Sequence, residues 1–370
     1  VMYMMPILRP TVAEVDLKKL ARNMRKVHEQ AGEGVRVLTV LKANAYGHGA
    51  VPLGLFLEKN KLSDFFGAAS VEEALQLRQA GVTLPILVLG SIYPFEAFEY
   101  AIKNNIAITI ASLDAAKAVC EIAEKIGKKA LCHVKQDTGM GRIGTRRGGV
   151  FNVIEYLDKN QHVILDGLFT HLSSVETDPA YTEEQIGYYR DTLTNVHLKG
   201  IHINYCHVAA SSAITARPDV HYDMVRTGHS AFGLEAGFEP ILSLKTRVVY
   251  VKDVPTGASI SYNRSFIAPA PMKVATLPLG YGDGYLRALS NKAEVLINGK
   301  RCRVLGNITM DMMMVDITHA GAVKVGDEAV AVGRQGNEEI TYAELAEKAG
   351  TIDYELCTLL MMRVPRIYKE

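Results

Sequence analysis

The sequence predicts an α/β protein with an amino-terminal β/α barrel of the TIM type and a carboxyl-terminal, mostly β domain. Three features of the chain carry this expectation. From Thr11 to Gly237, short apolar, β-branched runs alternate with longer amphipathic stretches, the pattern of repeated β-α units around a parallel sheet. About eight such runs occur, the number that closes a barrel. Past Glu239 helical periodicity disappears, and short strands alternate with Gly and Pro turns until near Thr341. The expected domains are therefore 11–238 and 239–370, with an N-terminal strand at 1–10 joining the second.

In chain order, the barrel strands are expected at 35–41, 65–70, 85–89, 106–110, 130–135, 165–169, 204–208 and 223–225. Helices are expected between them, for example at 16–30, 71–80 and 113–126, where apolar residues recur at i, i+3, i+4 spacing. Ser70-Val71-Glu72-Glu73 reads as a capping box, with the Ser70 hydroxyl taking an orphan amide and Glu73 reaching back. In the second domain, strands are expected at 243–251, 274–279, 295–297 and 312–317, with a hairpin turn at Asn298-Gly299. A helix at 341–349 and a last strand at 356–364 complete the pattern.

With 48% hydrophobic and 22% charged residues over 370 positions, the chain can bury a sizeable core and is not of disordered composition. The net charge of +1, with only local basic pairs such as Arg146-Arg147, gives no footprint for nucleic acid. Five scattered cysteines without a Cys-x-x-Cys pair fit neither a disulfide framework nor a structural zinc site, and point to a reducing cytoplasm. No run approaches the length of a membrane span, and the apolar stretch 1–10 is too short for a secretory core. A soluble protein without a metal is expected.

Catalytic groups of a β/α barrel sit at the carboxyl ends of its strands, which share one face. Those ends carry Lys42, then Lys135 with Asp137 and Arg142 beyond it, His171, Ser211 and Arg226. Lys42 closes a strongly apolar strand, so desolvation and a nearby arginine would disfavour its ammonium form. A neutral amine is what condensation with an aldehyde needs. The glycines of Gly139-Met140-Gly141 and Arg226-Thr227-Gly228-His229 let backbone approach a ligand, and amides at such turns suit a phosphate.

Together these segments resemble the alanine racemase family, a pyridoxal-phosphate-dependent group. The likeness rests on Leu41-Lys42-Ala43-Asn44-Ala45-Tyr46-Gly47-His48-Gly49 and on Lys135-Gln136-Asp137-Thr138-Gly139-Met140-Gly141-Arg142. It continues through Phe169-Thr170-His171, Asp223-Met224-Val225-Arg226, Ser261-Tyr262, Gly280-Tyr281-Gly282-Asp283-Gly284, Met310-Asp311 and Arg363-Val364-Pro365-Arg366. The resemblance implies racemisation of alanine by a head-to-tail homodimer, each site combining the barrel of one subunit with the β domain of the other. It implies that Lys42 holds pyridoxal 5′-phosphate and acts as the base for the D-enantiomer, with Tyr262 of the partner subunit as the base for the L-enantiomer. Arg226 would meet the pyridine nitrogen, and Arg142 the cofactor phenolic oxygen and the substrate carboxylate. Tyr46, Ser211, Gly228 and His229 match phosphate-binding positions. His171 and His207 would tune Arg226 and Tyr262, Lys135 would be carbamylated, and Tyr281, Met310 and Asp311 would line the substrate pocket from the partner side.

The chain departs from the family pattern at Ala210, Asn307, Thr309, Met362 and Asn263-Arg264, where Asn, Arg, Cys, Tyr and Gly are common. These positions leave serine or a broader range open beside alanine. Two further readings share parts of the pattern. A barrel-type decarboxylase would need an acidic partner for the pyridine nitrogen and a catalytic cysteine, and this chain offers Arg226 and Tyr262. A non-enzymatic pyridoxal-phosphate-binding barrel would lack the second domain.

Overall fold

The computed structural model describes residues 7–146 and 148–370, so the first six positions of the expected strand 1–10, and Arg147, lie outside the described residues. A strand at Val12–Asp16 (β1) comes first. It is followed by Arg36–Val40 (β2), Phe65–Ala68 (β3), Ile86–Val88 (β4), Ile106–Ile110 (β5), Ala130–Lys135 (β6), Val163–Phe169 (β7), Tyr205–His207 (β8) and Met224–Thr227 (β9). Strands β2 to β9 form one parallel sheet in the order β8-β7-β6-β5-β4-β3-β2-β9. Its ends meet where Asp223 N–H donates to Cys206 O at 3.1 Å and Arg226 N–H to Ala209 O at 3.0 Å. The β/α barrel is therefore as expected.

The barrel strands fold this way because both of their faces are covered. Every residue of β3 and β5 is buried, which explains runs that read as continuously apolar. The helices between them show one apolar face each; Leu17–Ala31 buries Leu20, Met24 and Val27, spaced by four and three residues. Asp16, Ser70, Ser112 and Asp178 cap helix starts by accepting backbone N–H groups, so the boundaries expected from sequence fall within a few residues.

The second sheet is built from Leu242–Arg247 (β10), Tyr250–Val254 (β11), Met272–Leu277 (β14), Glu294–Ile297 (β15), Lys300–Leu305 (β16), Met313–Asp316 (β17), Glu328–Gln335 (β18), Glu338–Ile340 (β19) and Arg366–Lys369 (β20), with β1. Ser259–Ile260 (β12) and Phe266–Ile267 (β13) form a separate small ribbon. Strand β1 pairs antiparallel with β10 and parallel with β20, but it lies at Val12–Asp16, past the expected strand 1–10, of which residues 7–10 form no strand.

Three expectations need correction. The stretch 243–251 is two strands: β10 pairs with β18, whereas from Val249 the chain turns to β14. The last strand is not at 356–364; Asp353–Thr358 is a helix, and the strand comes at Arg366–Lys369. Leu356, Cys357 and Leu360 are buried while Leu359, Met361 and Met362 are exposed, a helical rather than an alternating pattern in a run too short to decide by composition. Finally, Glu73 does not close a capping box: its carboxylate takes the amides of Ala69 at 2.7 Å and Ala43 at 2.8 Å.

Candidate active site

At the carboxyl ends of the barrel strands lies a cavity of about 940 Å³. Lys42, Tyr46, Lys135, Arg142, His171, Ser211, Arg226, Gly228 and His229 all line it, so the structure brings together these nine residues singled out by sequence. Ala210 lines it too, where a polar residue would be usual in the resembled family.

Lys42 enters the cavity from an unusual piece of backbone. The next four residues, Ala43, Asn44, Ala45 and Tyr46, all have left-handed φ angles of 51°, 55°, 53° and 52°. Each such non-glycine residue costs about 1–2 kcal/mol, so the turn exists only because its surroundings impose it. Glu73 holds the Ala43 amide, Asn44 Oδ1 accepts from Ala50 N–H at 2.9 Å, and Arg366 Nε donates to Gly47 O at 2.9 Å. Tyr368 Oη donates to His48 O at 3.0 Å. A Cβ at Gly47 would stand 2.1 Å from Cys357 O, so only glycine permits this contact with the second domain.

Electrostatically the cavity is a meeting of cations. Burial, then Arg142, lowers the Lys42 amine below its ordinary value. Lys135 is pushed well below it by burial, then Arg226 and Arg142, and its Nζ lies 4.6 Å from the Phe169 ring centre. Burial, Arg226 and Lys135 likewise keep His171 neutral. The fully buried Arg226 is lowered to about 10 by desolvation and stays charged near neutral pH. Its Nη1 donates to His207 Nδ1 at 2.9 Å and His207 O at 3.0 Å, and its Nη2 to Thr170 O at 2.8 Å and Val208 O at 2.9 Å. Only Nε–H lacks a partner among the described residues.

The remaining wall is hydroxyl-rich. Ser211 Oγ accepts from Gly228 N–H at 3.1 Å, and a Cβ on Gly228 would sit 3.1 Å from Tyr46 Oη. Burial raises the Tyr46 phenol to about 12, so it remains a donor. The expectation for Gly139 and Gly141 fails: their amides both donate to Asp137 Oδ1 at 3.0 Å and are spent inside their own loop.

Other expected residues lie elsewhere. His207 is buried behind Arg226, outside the cavity lining. Tyr262, Tyr281, Met310 and Asp311 do not line the cavity; Tyr262 is 69% exposed. They share a surface of the second domain, because Tyr281 N–H donates to Thr309 O and Arg363 pairs with Asp311 at 2.8 Å. Asn307 Nδ2 donates to Tyr262 O at 2.9 Å, so one of the departures from the family pattern steadies this loop. Sequence reasoning missed Tyr354 and Glu355, which bring the helix Asp353–Thr358 to the cavity mouth, with Tyr354 packed 4.3 Å from the His229 ring. Misreading that helix as a strand concealed them.

A barrel with a desolvated lysine among arginines at its carboxyl face, joined to a β domain, defines a protein of the amino-acid racemase type. Family models described as alanine racemase, N-terminal domain and alanine racemase, C-terminal domain match residues 15–236 and 241–368. The chain belongs to the alanine racemase family. It is 41% identical over 371 residues to alanine racemase 2 of Caldanaerobacter subterraneus, covering 98% of this chain and 95% of that protein. It is also 41% identical to the alanine racemase of Symbiobacterium thermophilum, covering 98% and 97%. Among solved structures, alanine racemase of Clostridium difficile superposes with a TM-score of 0.93 at 37% identity, covering 99% of this chain and 97% of that one. That of Bacillus anthracis with bound L-Ala-P gives 0.91 at 33%, covering 99% and 96%. No helix among the described residues is long and apolar enough to cross a membrane.

His48, whose Nδ1 lies 2.9 Å from both Ala45 O and Tyr46 O, gives a pH test of the turn. Burial pulls its pKa from 6.5 down to about 4, so the unfolded chain binds the extra proton first. Stability is then unaffected above about pH 6.5 and falls as pH drops from there towards 4, by about 3 kcal/mol in all. Urea unfolding of wild type between about pH 6 and 4 should lose roughly 1 kcal/mol per pH unit more than His48→Gln. Parallel curves for the two proteins would contradict this.

Proposed function

We propose that the protein is an alanine racemase that uses pyridoxal 5′-phosphate, with Lys42 and Tyr262 of the partner subunit as its two bases. The observation that carries the reading is the convergence of a depressed lysine amine, a charged arginine with one spare N–H and two hydroxyls on one cavity. This donor set suits the cofactor group by group. Lys42 offers a desolvated amine to its aldehyde, Arg226 Nε–H suits its ring nitrogen, and Tyr46, Ser211, His229 and the Gly228 amide, once released from Ser211 Oγ, would hold its phosphate.

When bound, pyridoxal phosphate supplies a sink for the electron pair left on the α-carbon once the proton departs. Lys42 takes or returns that proton on the face that handles the D-enantiomer. The phenol of Tyr262 does so on the opposite face for the L-enantiomer, so removal by one and return by the other inverts the centre. Tyr262 is exposed on its own chain and absent from the cavity lining, which fits a residue delivered to a second copy in a head-to-tail homodimer. Tyr281, Met310 and Asp311 share that surface and would close the pocket over a small amino acid. Arg226 keeps its charge and can only donate, so a ring nitrogen held against it would stay unprotonated and side reactions would be restrained. Arg142 at the mouth binds the substrate carboxylate.

Lys42→Ala should abolish racemisation, by on the order of a thousandfold or more, and remove the covalent cofactor absorbance. Tyr262→Phe should reduce deuterium wash-in from L-alanine by about a hundredfold while largely sparing exchange from D-alanine. Equal damage to both enantiomers would overturn the assignment of faces.

Lys135 is proposed to be carbamylated, because a neutral buried amine beside two arginines gains an anion where the cavity is short of negative charge. Protein equilibrated with ¹³C-bicarbonate should show a carbamate carbon signal that disappears in Lys135→Ala. The absence of that signal from wild type at mildly alkaline pH would show a bare amine.

A further inference from the structure

Behind Arg226, three side chains continue in a line away from the cavity. Arg226 Nη1 is 2.9 Å from His207 Nδ1, His207 Nε2 is 3.0 Å from His133 Nδ1, and His133 Nε2 is 3.2 Å from Asp166 Oδ2. The direction of every bond follows from the first. A guanidinium only donates, so His207 Nδ1 must accept. His207 is neutral, since burial and then Arg226 hold it well below its ordinary value. Its single proton is therefore on Nε2 and points at His133 Nδ1, which must accept in turn. His133 then carries its proton on Nε2 and donates to the Asp166 carboxylate.

The surroundings are shaped for this line. A Cβ at Gly167 would stand 2.1 Å from His133 Nδ1, so the bare backbone of β7 makes room for the ring. The His207 ring stacks on Phe169 at 4.7 Å, and Asn204 Nδ2 donates to the other Asp166 oxygen at 2.8 Å. Burial raises the Asp166 pKa, but hydrogen bonds from His133 and Asn204 more than offset it and keep the carboxylate ionised.

We infer that Asp166 and His133 are positioning residues for Arg226. Acting through His207, they hold the sense that Arg226 sets, so that Nη1 keeps its bond to His207 Nδ1 and Nε–H stays the one donor without a partner among the described residues. The reverse arrangement is costly from the near end because it would bring an Nδ1–H of His207 against the N–H of Arg226. Asp166 is the acceptor that makes the reverse costly from the far end: without it, His133 gains nothing from carrying its proton on Nε2. The inference rests on the reading of Arg226 as the partner of the cofactor ring nitrogen.

The test uses holoenzyme labelled with ¹⁵N-histidine, with His133 and His207 signals assigned from His133→Asn and His207→Asn. Two-bond ¹H–¹⁵N spectra should show the Nε2 nitrogen protonated and the Nδ1 nitrogen bare in both rings. Asp166→Ala should move or broaden the His207 signals, although the two residues do not touch. Asp166→Asn, which can still accept from His133 once Asn204 turns its Oδ1 towards the new NH2, should restore them in large part. In the same proteins kcat should fall about tenfold in Asp166→Ala with KM little changed, and recover in large part in Asp166→Asn. A proton on Nδ1 of His207, or His207 signals unmoved in Asp166→Ala, would overturn the inference. Should Asp166→Ala not fold, the wild-type tautomers and Asp166→Asn decide the matter. The spectra do not depend on turnover: expected tautomers in a protein without racemase activity would sink only the functional reading, and unexpected ones in an active enzyme only this inference.

Discussion

A lysine amine drawn out of water among other basic groups, and so biased towards its neutral form, is the constraint around which this molecule is arranged. Burial beside Arg142 lowers the Lys42 pKa, and Lys135 and Arg226 add to a cavity crowded with basic groups. Crowding like charges is unfavourable by itself. The barrel tolerates it because Arg226 is solvated by carbonyls of Thr170, His207 and Val208, while burial and the neighbouring arginines lower the pKa of both lysines. A strained support adds to this cost. The left-handed turn after Lys42 persists because Glu73 from one side and Arg366, Tyr368 and Cys357 from the other leave it no alternative.

That clamp ties the two halves of the chain together. Strand β20 carries Arg366 and Tyr368, pairs in parallel with β1, and so fixes the second sheet against the loop that bears Lys42. The helix Asp353–Thr358 adds Tyr354 to the cavity mouth. Yet the second domain of the same chain does not turn its Tyr262 surface towards this cavity. One half of the domain thus supports the cavity of its own chain, while Tyr262 on the other half is exposed, as the proposed head-to-tail dimer requires.

The barrel was legible in the sequence because strands covered on both faces, such as β3 and β5, appear as uninterrupted apolar runs between amphipathic helices. Its cavity was legible because strand ends are adjacent in sequence to the residues that line it, as with Lys42, Lys135 and Arg226. What stayed hidden depended on partners distant in the chain. A glycine pair such as Gly139 and Gly141 advertises free amides, but nothing local reveals that Asp137 uses them. His133 meets His207 across 74 residues and Asp166 across 33, so their line to Arg226 emerges only from the fold. The run 356–364 misled because a few apolar residues satisfy either period, and burial alone shows that Leu356 and Leu360 share a helical face.

The proposed active site is assembled from two chains, an amine from one and a phenol from the other. Mixing inactive Lys42→Ala with Tyr262→Phe under conditions that exchange subunits tests it directly. In a mixed dimer one site carries both lesions and the other carries neither. Statistical exchange of an equal mixture should therefore restore about a quarter of wild-type racemisation of L-alanine, from half of the dimers each with one intact site. No recovery, with mixed dimers shown to form, would mean that Lys42 and Tyr262 do not serve a shared site across the interface.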